Sequence, residues 1–303
     1  MNAGWTWFIA IITALNIGGS LWLLLATSRA DASAGETTGH VWDGDLREYN
    51  HPLPRWWLWL FVITIVFAVG YLVAYPGIGS VKGSLGWTQQ QQWEREVAAA
   101  EAATAPVYAK FASQTPVVLA GNPEAMDIAK RLYGNNCATC HGADAGGAPG
   151  FPNLRDGDWL HGGAPDAIYT TIANGRTGIM PPWGEMLGPQ GVEEVIAYVQ
   201  RLSGQQTDAA LATAGEARYM TVCVACHGAD GRGQQALGAP NLTDDVWLYG
   251  GSADAIRTTI VKGRQNQMPA HLQLLGETKV KLLAGYILSL SGGHGTGGDG
   301  QGT

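Results

Sequence analysis

Two short stretches contain every cysteine of this 303-residue chain. They read NCATCHGAD at residues 136–144 and VCVACHGAD at residues 222–230, and each has a histidine directly after its second cysteine. Thiols with this spacing lie on one helical turn and can add to the two vinyl groups of a haem, while the adjacent histidine reaches the iron. The pattern predicts two covalently bound haem c groups, attached to Cys137, Cys140, Cys223 and Cys226, with His141 and His227 as axial ligands.

Other uses of paired cysteines fit this sequence less well. Zinc sites place two Cys-x-x-Cys pairs about 15–20 residues apart, whereas these pairs begin at residues 137 and 223. A thioredoxin-like dithiol does not need a histidine after both pairs, and neither do the disulfides of a secreted domain. Haem attachment is the interpretation that uses all four cysteines and both histidines.

The segment around the two motifs is an internal repeat. The offset is 86 at the cysteines and becomes 88 after the following loop. The matches include Pro152-Asn153-Leu154 with Pro240-Asn241-Leu242, Trp159 with Trp247, Arg176 with Arg264, Met180 with Met268, and Tyr198 with Tyr286. Two copies are too few for a solenoid. The repeat therefore predicts two class I cytochrome c domains in tandem, at residues 121–205 and 206–291.

The sixth iron ligand should recur in both copies. Met180 and Met268 do so, and a proline follows each of them, whereas Met126 and Met186 have no methionine at the aligned position. A thioether ligand favours ferrous iron and raises the reduction potential, as suits an electron carrier. We predict the pairs His141/Met180 and His227/Met268; the alternative is that both methionines serve packing. His161 aligns with Tyr249 and His271 with Trp183, so the repeat gives these histidines no role.

Two further pairs of residues recur near the predicted iron ligands. Arg176 and Arg264 lie four residues before the methionines and are expected to bind haem propionates, unless they are simply exposed arginines. Trp159 and Trp247 are expected to line the haem or to bind a propionate, with ordinary core packing as the alternative.

Helices must position these groups. We expect one helix before each cysteine motif, containing Tyr133 or Tyr219, and C-terminal helices at residues 192–202 and 278–290. The two helices of each copy should cross and close the haem pocket of that copy. The predicted fold class is therefore mainly α.

Two uncharged apolar runs precede the repeat, Trp5–Thr27 and Trp56–Tyr75. Each is long enough to cross about 30 Å of hydrocarbon, so we predict transmembrane helices within residues 1–28 and 56–76. A cleaved signal peptide is the alternative for the first run, because residues 32–34 resemble a cleavage site. Neither run contains a histidine or a charged residue, so both are interpreted as anchors without haem ligands or an ion path.

Positive residues predict the orientation. Arg29, Arg47 and Arg55 lie between the runs, so the loop 29–55 is expected in the cytoplasm and the haem domains in the periplasm. Residues 77–120 are interpreted as a linker with a polar helix from the N-cap Thr88 to Pro106, with a docking helix as the alternative. Residues 292–303, which include His294, are expected to be a flexible tail. The formal net charge of −7 argues against nucleic acid as a partner.

Charge also predicts where an electron donor would dock. Residues 121–205 contain nine acidic and five basic residues, and residues 206–303 contain eight and seven. A basic donor cytochrome should therefore be steered mainly toward the first copy, around Asp156, Asp158, Glu185, Glu193 and Glu194. The alternative is that these carboxylates only make the surface soluble.

Several segments together are similar to one known family. They are WDGDLREYNHPLPRWWLWLF at residues 42–61, YPGIGSVKGSLGW at 75–87, GIMPPW at 178–183 and QMPAH at 267–271. With the two haem motifs, residues 1–291 resemble the dihaem subunit (subunit III) of cbb-type cytochrome c oxidases, the C family of haem-copper oxidases. The resemblance implies an inner-membrane protein with two transmembrane helices where some members have one.

The resemblance also implies a route for electrons. They would pass from a donor cytochrome c through the two haems to a mono-haem subunit, and then to the haem-copper catalytic subunit where oxygen is reduced. This chain would lack an oxygen-reducing site, since both irons are predicted to be six-coordinate. Two other functions stay open at this point: a membrane-tethered dihaem carrier that serves several reductases, and a redox or gas sensor in which one methionine leaves the iron.

Overall fold

The computed structural model describes residues 2–28, 36–50 and 54–291. The chain divides into two compact units, Met1–Ala103 and Thr104–Thr303, and each is described by itself. The possible cleavage site at residues 32–34 and the predicted flexible tail at 292–303 lie outside the described residues.

The first unit contains two long apolar helices, α1 (Ala3–Thr27) and α2 (Arg55–Ala74). Their bounds differ from the predicted runs by at most two residues. The side chain of Asn2 caps α1 by accepting a hydrogen bond from the Trp5 amide at 3.1 Å. Both helices are long and apolar enough to cross a membrane, and within them Leu24 is the single buried residue. Helices that are apolar all round need an apolar environment, either a protein core or a bilayer.

A β-hairpin lies between these helices in the chain. Strand β1 (Thr37–Trp42) pairs antiparallel with β2 (Leu46–Tyr49). At the turn, Asp43 and Gly44 have φ angles of +49° and +92°, and such left-handed residues are typical of tight hairpin turns. The sequence predicts only a loop at residues 29–55, and the hairpin is seen only in the structure.

Helix α3 (Gln89–Ala109) follows the second apolar helix. The Thr88 hydroxyl accepts a hydrogen bond from the Gln91 amide at 3.1 Å, which confirms the predicted N-cap. The helix continues past Pro106 and ends three residues later than predicted. None of its residues is buried, so no apolar face is covered within the described chain.

The second unit contains the repeat, and both copies share one order of elements, except that the last helix of the first copy is kinked at Gly188 where the second copy has two separate helices. A short helix α4 (Pro116–Ala120) comes first. The first copy then has α5 (Pro123–Asn136), α6 (Ala138–His141), α7 (Pro165–Asn174), β3 (Arg176–Met180) and α8 (Gly184–Leu202). The second has α9 (Ala209–Val222), α10 (Val224–His227), α11 (Ala253–Lys262), β4 (Arg264–Met268), α12 (Leu272–Leu275) and α13 (Glu277–Leu290).

The two copies exchange their C-terminal helices. Helix α13 packs against α4, α5 and α7 of the first copy, and α8 packs against α9 and α11 of the second. One core combines Tyr133, Ile168 and Ile172 with Val280, Leu283 and Ile287. The other combines Val192, Val195 and Ile196 with Ile256 and Ile260. The prediction that the helices of one copy close the pocket of the same copy is therefore wrong.

The connection between α8 and α9 gives a physical reason for the exchange. Residues 203–208 join the two helices, and helices joined by so short a loop tend to pack as antiparallel neighbours. A Cβ atom on Gly215 of α9 would overlap the carbonyl oxygen of Glu194 on α8, so the glycine permits this close approach. Each aliphatic side chain buried in these cores contributes roughly 1.5–3 kcal/mol to the stability of the fold.

Strands β3 and β4 form an antiparallel ladder between the copies. Arg176 lies opposite Met268, and Met180 lies opposite Arg264. Gly175 and Gly263 precede the strands with φ angles of +70° and +71°. A Cβ atom on either glycine would overlap the methionine carbonyl oxygen of the other strand, so both positions require glycine for conformation and for space.

Candidate haem sites

Each cysteine motif forms a single helical turn at the end of a longer helix. The amides of Cys140 and His141 donate to the carbonyl of Cys137 at 3.1 and 3.0 Å, and the second motif repeats this geometry. Cys137 and Cys223 are half-buried, and none of the four cysteines forms a disulfide. Burial, followed by the neighbouring cysteine, raises the pKa of Cys137 and of Cys223 to about 11, so both thiols are protonated at neutral pH.

A backbone carbonyl orients each motif histidine. The Nδ1 atom of His141 lies 3.0 Å from the carbonyl oxygen of Pro152, and Nδ1 of His227 lies 3.1 Å from that of Pro240. When Nδ1 donates this hydrogen bond, Nε2 carries the lone pair that binds a metal. Burial lowers the pKa of His227, although the bond to Pro240 opposes the shift. The neutral, ligating form of His227 is therefore favoured.

Two tyrosines fix the loop that follows each histidine. The Tyr133 hydroxyl donates to the carbonyl of Gly142 at 2.8 Å, and the Tyr219 hydroxyl donates to that of Gly228 at the same distance. Burial is the main cause that raises the pKa of both tyrosines, so they remain donors at neutral pH. The sequence predicts these tyrosines on helices, whereas this role and that of the proline carbonyls emerge only from the structure. Their recurrence in both copies was the available signal.

The two predicted methionine ligands pack against different cores, each of which combines residues of both copies. Met268 packs against the same core as Cys137, Ala138 and Trp159. Met180 packs against the same core as Cys223 and Trp247. The pairing of His141 with Met180 and of His227 with Met268 stays a prediction, and this packing gives a crossed pairing as its alternative.

Met126 and Met186, the two methionines without a match in the repeat that were compared above, occupy different surroundings. Met126 packs against a separate cluster around Phe111 and Leu119, and Met186 is 68% exposed. Neither lines the cavity that both cysteine motifs share.

That cavity has a volume of about 820 Å³. Its wall contains both Cys-x-x-Cys-His motifs, Met180 and Met268, and also Arg176, Arg264, Trp159, His161 and His271. Trp247 packs against the second core. The buried Nδ1 atom of His271 has no hydrogen-bond partner within the described residues, and such a buried polar atom calls for a missing partner. A cavity with two thiol pairs, two oriented imidazoles and two thioethers fits haem.

The two recurring arginines are half-buried in this wall rather than exposed. Arg176 Nε donates to the Thr171 hydroxyl, and Arg264 Nε donates to the Thr259 hydroxyl, both at 2.9 Å. The Arg264 guanidinium also lies 3.9 Å from the centre of the Tyr249 ring. These contacts hold both guanidinium groups in place beside the cavity.

Comparison with known proteins decides the family. A model described as the N-terminal domain of cytochrome oxidase-cbb3, FixP, matches residues 34–82. A model described as cytochrome C oxidase, cbb3-type, subunit III, matches residues 124–199 and 210–287. The chain belongs to the family of cbb3-type cytochrome c oxidase subunit III. It is thus a cytochrome c electron-transfer subunit of the oxidase, as the resemblance predicted.

Individual relatives are similar in sequence to this chain along most of their length. The chain is 49% identical to the cbb3-type cytochrome c oxidase subunit CcoP of Rubrivivax gelatinosus, over 96% of both chains. It is 41% identical to subunit FixP of Sinorhizobium medicae, over 87% of this chain and 97% of the relative. Identity to CcoP of Rhodobacter capsulatus is 40%, over 86% and 96%. The prediction of tandem cytochrome c domains in a mainly helical chain is confirmed.

The acidic surface predicted for donor docking needs correction. Glu194 is buried and forms an ion pair with Arg218, so it cannot face a donor. Glu193 is exposed, but Arg257 binds both of its carboxylate oxygens, at 2.7 and 2.9 Å. The hydrogen bonds from these arginines lower the pKa of each glutamate. Both charges are therefore largely compensated within the fold.

Carboxylates of the two copies instead approach one another elsewhere. Burial raises the pKa of Asp158, and the charges of Asp156 and Asp245 add to the shift. Burial also raises the pKa of Asp244, and the charges of Asp158 and Asp245 act in the same direction. These four aspartates form an acidic surface that belongs to both copies.

Proposed function

We propose that this subunit III binds two haem c groups with crossed axial ligation. One is held by Cys137 and Cys140, with His141 and Met268 as iron ligands. The other is held by Cys223 and Cys226, with His227 and Met180. The observation that supports this assignment is that Met268 packs against the same core as Cys137, and Met180 against the same core as Cys223.

The side chains of the cavity tune these centres. Haem iron supplies reversible one-electron transfer, and methionine ligation favours its reduced state. The proline carbonyls keep the histidines oriented, and the apolar wall excludes water from the iron ligands. Arg176 and Arg264 are the proposed partners of haem propionates, through charge-assisted hydrogen bonds. Trp159 and Trp247 are proposed to pack against the haem edges.

The electron route follows from membership of the oxidase. Residues 1–28 and 56–76 are proposed to span the bacterial inner membrane, with residues 29–55 in the cytoplasm. The linker 77–120 and the haem-binding copies at 121–205 and 206–291 would then lie in the periplasm, where a donor cytochrome c can reach them. Electrons would leave toward the mono-haem subunit and the haem-copper catalytic subunit. The arginines between the apolar helices support this orientation.

Copurification tests the proposal. The chain would be affinity-tagged, expressed in its host and purified in mild detergent. We expect a copper-containing subunit to co-elute and the complex to reduce oxygen with electrons from cytochrome c. A chain that elutes alone yet exchanges electrons with several reductases would instead support a free carrier. Binding of carbon monoxide by the isolated, reduced chain at one of its haems would support a sensor.

A further inference from the structure

The hairpin formed by β1 and β2 exposes an apolar face. Trp42 and Leu46 lie directly opposite each other across the strands, and they are 51% and 64% exposed. Side chains two residues apart on a strand share a face, and the ring of His40 lies 4.4 Å from that of Trp42. His40, Trp42 and Leu46 therefore lie on one exposed face of the hairpin.

The hairpin has little support of its own. Every residue of both strands is exposed, and an isolated two-stranded hairpin is only marginally stable in water. The family model that matches residues 34–82 includes the whole hairpin, so the segment is part of what relates this chain to the oxidase subunit. Contact with another molecule would cover the apolar side chains that the described residues leave exposed on the hairpin.

Short connections keep the hairpin close to the membrane surface. Residues 50–54 join β2 to α2, and an extended chain covers at most about 3.3–3.6 Å per residue. The base of the hairpin therefore stays within roughly 20 Å of the start of α2. Its partner must lie at the same surface.

The charge of the hairpin selects between two kinds of partner. Residues 36–50 contain four carboxylates and one arginine, a net charge of −3 with His40 neutral. The cytoplasmic leaflet is negatively charged and repels such a segment. Cytoplasmic loops of membrane proteins are rich in Lys and Arg, and such loops attract the acidic hairpin. Charge complementarity thus favours a protein partner over lipid.

We propose that the hairpin docks onto a Lys- and Arg-rich cytoplasmic surface of another membrane subunit of the same oxidase. Trp42 and Leu46 would supply the apolar contact, and Asp43 and Asp45 at the turn would face the basic side chains. The inference rests on the proposed topology, which places residues 29–55 in the cytoplasm.

A charge reversal in the assembled complex tests this. Asp43→Lys/Asp45→Lys is compared with Glu94→Lys/Glu96→Lys on α3, which changes the same charge at two exposed residues outside the hairpin. The hairpin variant should recover about tenfold less partner subunit in mild detergent, and the control should match the unaltered chain. Haem content measured by pyridine haemochrome should stay the same in both variants, which shows that the second unit still folds.

A photo-crosslinking residue in place of Trp42, in a chain without the charge reversals, identifies the molecule that contacts the hairpin. Adducts with another subunit support the proposal. Adducts with lipid alone, or normal subunit recovery in the hairpin variant, overturn it while leaving the proposed function intact. If the unaltered chain co-elutes with no other subunit, both the proposed function and this inference fail.

Discussion

Tyr133 of the first copy and Tyr286 of the second lie with their ring centroids 5.4 Å apart. The reciprocal pair, Tyr198 and Tyr219, has a separation of 5.0 Å. Aromatic pairs at this distance contribute about 0.5–1.5 kcal/mol beyond the area that they bury. Each haem-binding motif is therefore completed by a helix from the other copy, and neither copy has its own complete core.

Haem attachment should depend on each motif separately. The unaltered chain is expected to contain two c-type haems, and Cys137→Ala/Cys140→Ala or Cys223→Ala/Cys226→Ala should each lose one. Pyridine haemochrome spectra of the denatured chains give the count. Two haems remaining in either double variant would contradict the assignment of that motif.

Crossed ligation predicts which haem responds to each methionine. In a Cys223→Ala/Cys226→Ala background, the remaining haem is the one attached at Cys137. Met268→His should lower its reduction potential, because imidazole replaces a thioether that favours ferrous iron. It should also abolish the near-infrared band of sulfur-ligated ferric haem.

Met180→His in the same background is the matched control. It should leave both the potential and the near-infrared band unchanged, since its sulfur would serve the haem that has been removed. If Met180→His instead lowered the potential and Met268→His left it unchanged, the pairing of histidine and methionine within each copy would be correct.

The ion pair between the buried Glu194 and the partly exposed Arg218 predicts a dependence of stability on pH. The pKa of Glu194 is lowered in the folded chain, chiefly by the hydrogen bond from Arg218. The pair therefore stabilises the fold above the unfolded carboxyl pKa of about 4.3, and this contribution disappears as the pH falls through the folded pKa.

Thermal unfolding of the haem-loaded chain between pH 7 and pH 3 tests this. Glu194→Gln should lower the midpoint temperature by several degrees at pH 7 and should weaken its acid dependence. Glu216→Gln removes a carboxylate from the exposed pair with Arg201 and should have little effect. Equal changes in midpoint temperature for the two substitutions would show that the pair of Glu194 with Arg218 stabilises the fold no more than the exposed pair does.

The topology can be tested with a reporter fused after Asp45. A reporter that is active only in the cytoplasm should be active at this fusion site, because Arg29, Arg47 and Arg55 favour a cytoplasmic loop. Activity confined to a periplasmic reporter would reverse the orientation. Sequencing of the mature N-terminus would separately show whether the first apolar helix is retained.

Donor steering should follow the acidic surface that both copies share. Asp158→Asn/Asp245→Asn is expected to slow oxidation of a basic donor cytochrome several-fold at low ionic strength. The difference should vanish near 1 M salt, where the Debye length is about 3 Å. Glu193→Gln/Asp254→Asn removes the same charge from carboxylates bound by Arg257, and a larger effect there would place the donor on the other surface.

The chemistry of this chain could be predicted from its sequence because it is local. Two cysteines and a histidine within five residues fit on one helical turn, and the structure contains that turn twice. The long apolar helices and the Thr88 cap follow equally from residues near one another in the chain. Recurrence in both copies was enough to separate Met180 and Met268 from Met126 and Met186.

Only the tertiary structure shows that Met268 shares a core with Cys137 and that Met180 shares one with Cys223. Both pairings use the same motifs, helices and spacings, so nothing local distinguishes them. The short connection at residues 203–208 folds α8 onto α9, and the ladder between the copies sets Arg176 opposite Met268. The packing of α8 also buries Glu194, although the count of charges predicts this residue on the surface that meets the donor. Packing between distant segments determines both outcomes, and a repeat in sequence therefore need not be a separate unit in space.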